Sequence, residues 1–328
     1  MKMRQNIKLV TVKSEIAAGT RGAGLGVDAM IVASLTKQSS FFAEHSIVGV
    51  EDVNNVLLKE NRFPYAKYAD GVKIVLDRVA ATTASVMDEG SFPVVLAGDH
   101  STAAGTISGI KKANPEKRLG VVWIDAHGDL HSPYTTPSGN MHGMPLAMVS
   151  GSDNIAQQVN TLDEETIAQW EAIKNTGIRG AKITPEDIVF VAVRDTEGPE
   201  EVFMKEHGIK NFSVEEVRKE GVKTIAARVL ERLQDCDIIY VSFDVDSMDS
   251  SISMGTGTPV ANGLTVEEAK DLNALLVQSP KVCAWEIVEV NPTLDKGNTM
   301  AENAFDILSN TVEVLKNSKE LAPPLMMA

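Results

Sequence analysis

The chain has 328 residues, 43% of them hydrophobic, and a formal net charge of −14. That length and apolar content allow a sizeable core in one or two domains. The acidic balance argues against a nucleic-acid partner or an anionic membrane surface, and it suits a cationic ligand.

The opening residues Met1 to Val10 lack the apolar core of a signal peptide, and no run reaches transmembrane length; both features predict a cytoplasmic protein without membrane contact. Ile7 to Val12 reads as a first buried strand. The glycine-rich stretch Ala18 to Gly26 departs from dinucleotide-fingerprint spacing and reads as a loop into a helix at 27–36. A short strand, Ser46 to Val50, precedes a long amphipathic helix, Tyr68 to Asp88. Pro93 to His100 is an apolar strand ending in charge, and Ser101 starts a helix whose Ala103, Ala104 and Gly105 suit close packing on a sheet. Leu119 to Asp129 is an apolar run that ends in Asp125, His127 and Asp129, and a loop, His131 to Gly143, follows it. Residues 151–185 are polar and helical in pattern, without a strand, and read as a surface excursion. Asp187 to Val193 is a strand ending at Arg194 to Glu197, with helices at 199–207 and 213–234 after it. Asp237 to Asp246 is a second apolar strand that ends in paired acids, Asp244 and Asp246. A helix runs from Thr265, an N-cap with Glu268 completing a capping box, to Val277. The last strand, Val282 to Val290, ends at Glu289, and a helix at 301–318 closes the chain. Cys236 and Cys283 form no CxxC and read as ordinary buried thiols.

Short apolar strands alternating with helices predict an α/β fold: one domain over 1–328, three layers (α/β/α), with a mostly parallel central sheet. In such sheets the site lies beyond the carboxyl ends of the strands. Four strands here end in Asp, His or Glu at that edge.

Residues i, i+2 and i+4 of an extended chain point the same way, so a strand continuing through Asp125, His127 and Asp129 would aim three metal ligands at one spot. Buried charge of that density requires positive charge beside it. Adding His100, Asp244 and Asp246 brings four carboxylates and two imidazoles, which two divalent cations would balance; this thiolate-free set suits Mn²⁺ better than structural zinc. Any one such Asp could instead cap the following helix.

Gly98-Asp-His-Ser101, Asp125-Ala-His-Gly-Asp129, Ser242-Phe-Asp-Val-Asp246 and Gly257-Thr-Pro259 resemble the motifs of the ureohydrolases, with the likeness running from about 93 to 317. Ser138-Gly-Asn-Met-His-Gly143 and Glu289-Val-Asn-Pro292 look like the arginase branch rather than agmatinases. The resemblance implies an arginase-like fold and two Mn²⁺ per chain on His100, Asp125, His127, Asp129, Asp244 and Asp246. It also implies hydrolysis of a small cationic guanidino substrate, L-arginine giving L-ornithine and urea, through a metal-bridging hydroxide. His142 matches a proton-shuttling histidine, Glu289 the carboxylate that holds the guanidinium, and Thr258 a hydroxyl beside it. Ser138 and Asn140 match positions holding an α-carboxylate; Glu197 and Glu200 match acids facing an α-amino group. A homotrimer or homohexamer is implied as well.

Two positions depart from the arginase pattern: His131 stands where Asn is common, and Glu197 where Asp is common. Both belong to recognition of the amino-acid end, so formimidoylglutamate, agmatine or another guanidino acid stays open as substrate. His131 is equally readable as a solvent-facing loop residue, and Glu200 as a solvated first-turn helix residue. His45 and His207 have no ligand-type neighbours and read as surface residues.

Overall fold

The computed structural model describes residues 6–318; residues 1–5 and 319–328, including the tail from Leu321, lie outside them. Eight strands form one sheet: β1 (Ile7–Val12), β2 (Ser46–Val50), β3 (Phe92–Ala97), β4 (Leu119–Ile124), β5 (Ile188–Val191), β6 (Lys210–Phe212), β7 (Ile238–Asp244) and β8 (Val282–Val288). Their order is β2-β1-β3-β8-β7-β4-β5-β6, and every pairing is parallel. The sheet is thus parallel throughout, as continuous apolar strands covered on both faces should be. β3, β4, β5 and β7 are buried along their whole length.

Each face carries its own apolar cluster, which makes the three layers. One face packs Met30, Val229, Leu272 and Phe305 from the helices Gly26–Thr36, Val222–Arg232, Val266–Leu276 and Thr299–Asn317. The other packs Leu76, Ile107, Leu146 and Trp170 from Ala69–Asp88, Thr102–Ala113, Pro145–Ser150 and Glu164–Lys174.

The order has a direct consequence for function. β3, β8, β7 and β4 are the four central strands, and their carboxyl ends lead into Asp99-His100, Glu289, Asp244 and Asp125 respectively. Acidic residues from distant parts of the sequence therefore meet at the middle of one sheet edge.

Several expectations need correction. The helix expected over 213–234 is two, Val214–Glu220 and Val222–Arg232, broken at Gly221, whose φ of 86° lies outside the range comfortable for other residues. β6 was not foreseen; three residues at a sheet edge carry no periodic signal. The 151–185 excursion holds one α-helix, Glu164–Lys174, whose Trp170 is fully buried. Trp170 Nε1 and Lys174 Nζ both donate to Asp153 Oδ1, at 2.6 and 2.7 Å, so its inner face is part of the core. Cys236 is buried but Cys283 only half-buried. His45 and His207 are half-buried, each packed 4.4 Å from a phenylalanine one turn earlier, Phe41 and Phe203.

Candidate active site

β4 stops at Ile124, one residue before the first acid. Beyond it Asp125 and Ala126 bend and His127 makes a single parallel bridge to Asp195, so the run to Asp129 is not the regular strand that alternation suggested. Asp125 Oδ1 accepts the His127 amide at 2.8 Å, and Asp129 adopts a left-handed backbone with φ 52°. Such a conformation is unfavourable for a non-glycine residue and must be held by its surroundings. Leu146 N donates to Asp129 O at 3.2 Å on one side. On the other, Leu130 N donates to Glu200 Oε1 at 3.0 Å.

The same local device recurs. Asp244 Oδ1 accepts the Asp246 amide at 2.8 Å, and Asp99 Oδ1 accepts the Ser101 amide at 3.0 Å. Capping and facing the site are therefore not alternatives: Asp244 turns Oδ1 to the amide and Oδ2 to His100, and Asp125 Oδ1 accepts its amide while lying 3.5 Å from His127 Nδ1.

All six candidate ligands converge. His100 Nδ1 lies 3.0 Å from Asp125 Oδ2, 3.1 Å from Asp129 Oδ2 and 3.1 Å from Asp244 Oδ2. His127 Nδ1 lies 3.1 Å from Asp246 Oδ2 and 3.5 Å from Asp125 Oδ1. Two groups with ligand atoms within 4.8 Å of one another result, His100–Asp125–Asp129 and Asp125–His127–Asp246. Asp125 belongs to both, one oxygen to each. His100 and Asp125 are almost wholly buried, whereas 23% of the His127 side chain is exposed.

The donor set fits metal. His100 Nδ1 and Asp125 Oδ2 are buried without a hydrogen-bond partner although only 3.0 Å apart; they face a common point rather than each other. Orphaned buried polar atoms are costly and call for a third party. Burial drives the Asp129 carboxyl up to about 6, helped by the Asp125 charge. Burial, with Asp246 and Asp125 beside it, puts Asp244 well above the carboxylate range. Burial acts upward on Asp125 as well, but the adjoining His100 and His127 imidazoles hold it well below that range. Four buried carboxylates beside two imidazoles leave negative charge in excess, which bound cations would offset.

His100 is fixed from behind. Its Nε2 meets Ser242 Oγ at 2.8 Å, and its ring stacks on Trp123, centroids 4.0 Å apart and planes 6° from parallel. That bond turns Nδ1 toward the acids. No role was assigned to Ser242 from the sequence, although it lies two residues before Asp244 and so on the same face of β7.

Glu289 enters from the end of β8 with φ 65°, held where its amide donates to Gly98 O at 2.8 Å. Gly98 has to be glycine, because a Cβ there would fall 2.0 Å from Ser14 O. Glu289 Oε1 accepts the His100 amide at 2.9 Å and meets His142 Nδ1 at 3.0 Å. Burial pulls the His142 imidazole down, but the Glu289 hydrogen bond and charge raise it to about 9.

These groups face a cavity of about 290 Å³, lined also by His131, Ser138, Asn140, Glu197, Glu200 and Thr258. A wider groove of about 950 Å³ runs along β6; it shares no residue with the acidic cluster, so volume does not mark the site. Thr258 Oγ1 donates to Asp246 Oδ2 at 3.1 Å. His131 is not solvent-facing, with 6% exposure. Its Nε2 meets Glu197 Oε2 at 2.7 Å and its Nδ1 Thr135 Oγ1 at 3.0 Å. Glu200 is 2% exposed rather than solvated, and its oxygens accept the Leu130 and Glu197 amides at 3.0 and 3.1 Å. It braces the turn that carries Asp129. Asp99, also unassigned from sequence, accepts the Ala17 amide at 3.2 Å and ties the N-terminal loop to the end of β3.

Known proteins resemble this chain in sequence and fold. The sequence model of the arginase family matches residues 5–312. The arginase of Brevibacillus brevis is 32% identical over 313 residues, covering 94% of this chain and 98% of that one. The solved arginase of Bacillus caldovelox superposes with a TM-score of 0.78 at 31% identity, over 94% of this chain and 98% of its own. The Entamoeba histolytica arginase, solved with L-ornithine, gives 0.79 at 26% identity, over 95% and 99%. Nearly the whole length takes part in this relationship, and the chain belongs to the arginase family of hydrolases.

Proposed function

We propose that the protein hydrolyses the guanidino group of L-arginine to L-ornithine and urea, with two Mn²⁺ held by His100, Asp125, His127, Asp129, Asp244 and Asp246. The observation that carries this reading is Glu289: a buried carboxylate within the cavity, at the margin of the ligand cluster. Bound there, two divalent cations would polarise the substrate and bring the pKa of water close to neutrality. Glu289 Oε1 is engaged by His100 and His142, which leaves Oε2 to accept from a guanidinium, a charge-assisted bond. His142, raised to about 9, is cationic at neutral pH and supplies a proton to the leaving amine. Asp129 is placed to accept a hydrogen bond from the reacting centre. Ser138 and Asn140 take the α-carboxylate; Glu197, with Glu200 behind it, takes the α-amino group, and Thr258 flanks the guanidinium.

One observation favours a second reading. Glu197 Oε2 already pairs with His131 at 2.7 Å, which weakens its claim on a substrate ammonium and suits formimidoylglutamate or a guanidino acid without a free amine. A substrate panel with Mn²⁺-loaded protein separates the two. Urea from L-arginine, cut by about a thousandfold or more in Asp129→Asn, is expected; turnover of another panel member without arginine would overturn the substrate while keeping the chemistry. The same proposal carries a homotrimeric or homohexameric assembly, read by light scattering, and a cytoplasmic location.

A further inference from the structure

The loop that bears Ser138 and Asn140 is braced by a lysine that the reaction described above does not use. Lys67 Nζ donates to Asn140 Oδ1 at 2.9 Å, and the Lys67 amide donates to Gly139 O at 2.8 Å. Between them sits Gly139, with φ 76°, where a Cβ would lie 2.0 Å from Pro64 O; the two segments touch backbone to backbone. Among the described residues no carboxylate pairs with Lys67.

A lysine ammonium can only donate, so Asn140 has to offer it the carbonyl oxygen. Its amide orientation is thereby set, with Nδ2 turned away from Lys67. A Cβ at Gly19 would fall 2.6 Å from Nδ2, so the glycine there leaves the NH₂ clear. The neighbouring hydroxyl is biased likewise. Ser138 Oγ accepts the Asn140 amide at 3.1 Å, leaving its own O–H to donate. Thr136 Oγ1 holds the turn by accepting the Ser138 and Gly139 amides at 3.3 and 3.0 Å. This wall of the cavity therefore presents donors backed by one unpaired positive charge.

We propose that Lys67 is a positioning residue which, by fixing the Asn140 amide, selects guanidino substrates carrying a carboxylate at the end remote from the guanidino group. The proposal rests on the guanidino-hydrolase reading above. Without Lys67 the amide is free to turn its oxygen inward, where it repels a carboxylate but accepts from an amine.

The test compares Mn²⁺-loaded wild type, Lys67→Met and Lys67→Arg with L-arginine and with agmatine, its decarboxylated counterpart. Calorimetric binding of L-ornithine and of putrescine gives a readout independent of turnover. Lys67→Met should raise KM for L-arginine about tenfold, the scale of one hydrogen bond to a charged group, with little change in kcat. It should weaken L-ornithine by a similar factor and leave agmatine and putrescine binding no weaker than before, and Lys67→Arg should recover most of the loss. Equal shifts for ligands with and without the carboxylate, or no shift, would overturn the proposal and leave Lys67 a loop tie. Wild-type protein that turns over no guanidino compound would instead sink the functional reading, a separate outcome.

Discussion

At the carboxylate end of the cavity, His100, Asp125, Asp244 and Glu289 lie at or within three residues of the ends of the four central strands and are buried. At the far end, Ser138 and Glu197 come from loops and are exposed, and Asn140 is half-buried. Sheet hydrogen bonds leave the first group almost no freedom, whereas the second depends on single contacts such as His131 to Glu197. On the proposed function, chemistry is held by the scaffold and recognition by what is attached to it, so the first tolerates little change and the second can drift.

The sharpest way to break that contrast is at His142, a loop residue that the proposal places in the chemistry. His142→Asn should lower kcat about a hundredfold, the usual worth of a general acid. It should also alter stability with pH. The imidazole is raised from 6.5 to about 9 in the folded protein, so its pairing with Glu289 stabilises fully below pH 6.5 and is lost as pH rises through about 9. The loss is at most about 3 kcal/mol, less because 18% of the side chain is exposed. Urea unfolding at pH 6.5, 8 and 9.5 should show that decline in wild type and a flatter profile in the variant; parallel profiles would contradict it.

A smaller effect belongs to the scaffold end. Ser242→Ala removes the partner of His100 Nε2 and should weaken metal affinity about tenfold or more, read by competition with a chelator, with thermal stability of the metal-free protein little altered. The smallest effect is expected at the loops. His131→Asn frees Glu197 and should lower KM for L-arginine at most about fivefold, the range of a partly exposed ion pair, with kcat steady. A rise in KM would mean that the imidazole itself meets the substrate.

The sequence made the two ends legible to different degrees. Apolar runs ending in Asp or His identified the central strands and the six residues that meet beyond them, because burial on both faces leaves a continuous signal. The path of the chain through those residues was misread: alternation along a strand suggested a common direction for Asp125, His127 and Asp129, but the turn that aims them relies on the left-handed Asp129 and on Glu200, 70 residues away. Nothing local announces such a brace. Lys67 was invisible for the same reason, since its partner Asn140 is 73 residues distant. β6 and the break at Gly221 were lost to short length, not to distance.

Arg194, just beyond β5, has its guanidinium held by backbone carbonyls alone, those of Ala192, Asp246, Ser247, Met248, Val260 and Ala261. Three of them belong to the turn that starts at the last acid of the cluster. The protein thus keeps a permanent cation of its own behind that turn, covalently attached and never exchanged with solvent. The backbone carrying Asp246 is thereby anchored from behind, independently of whatever the side chains in front hold. A lysine there could not take over, having three donors on one atom where six acceptors surround a plane.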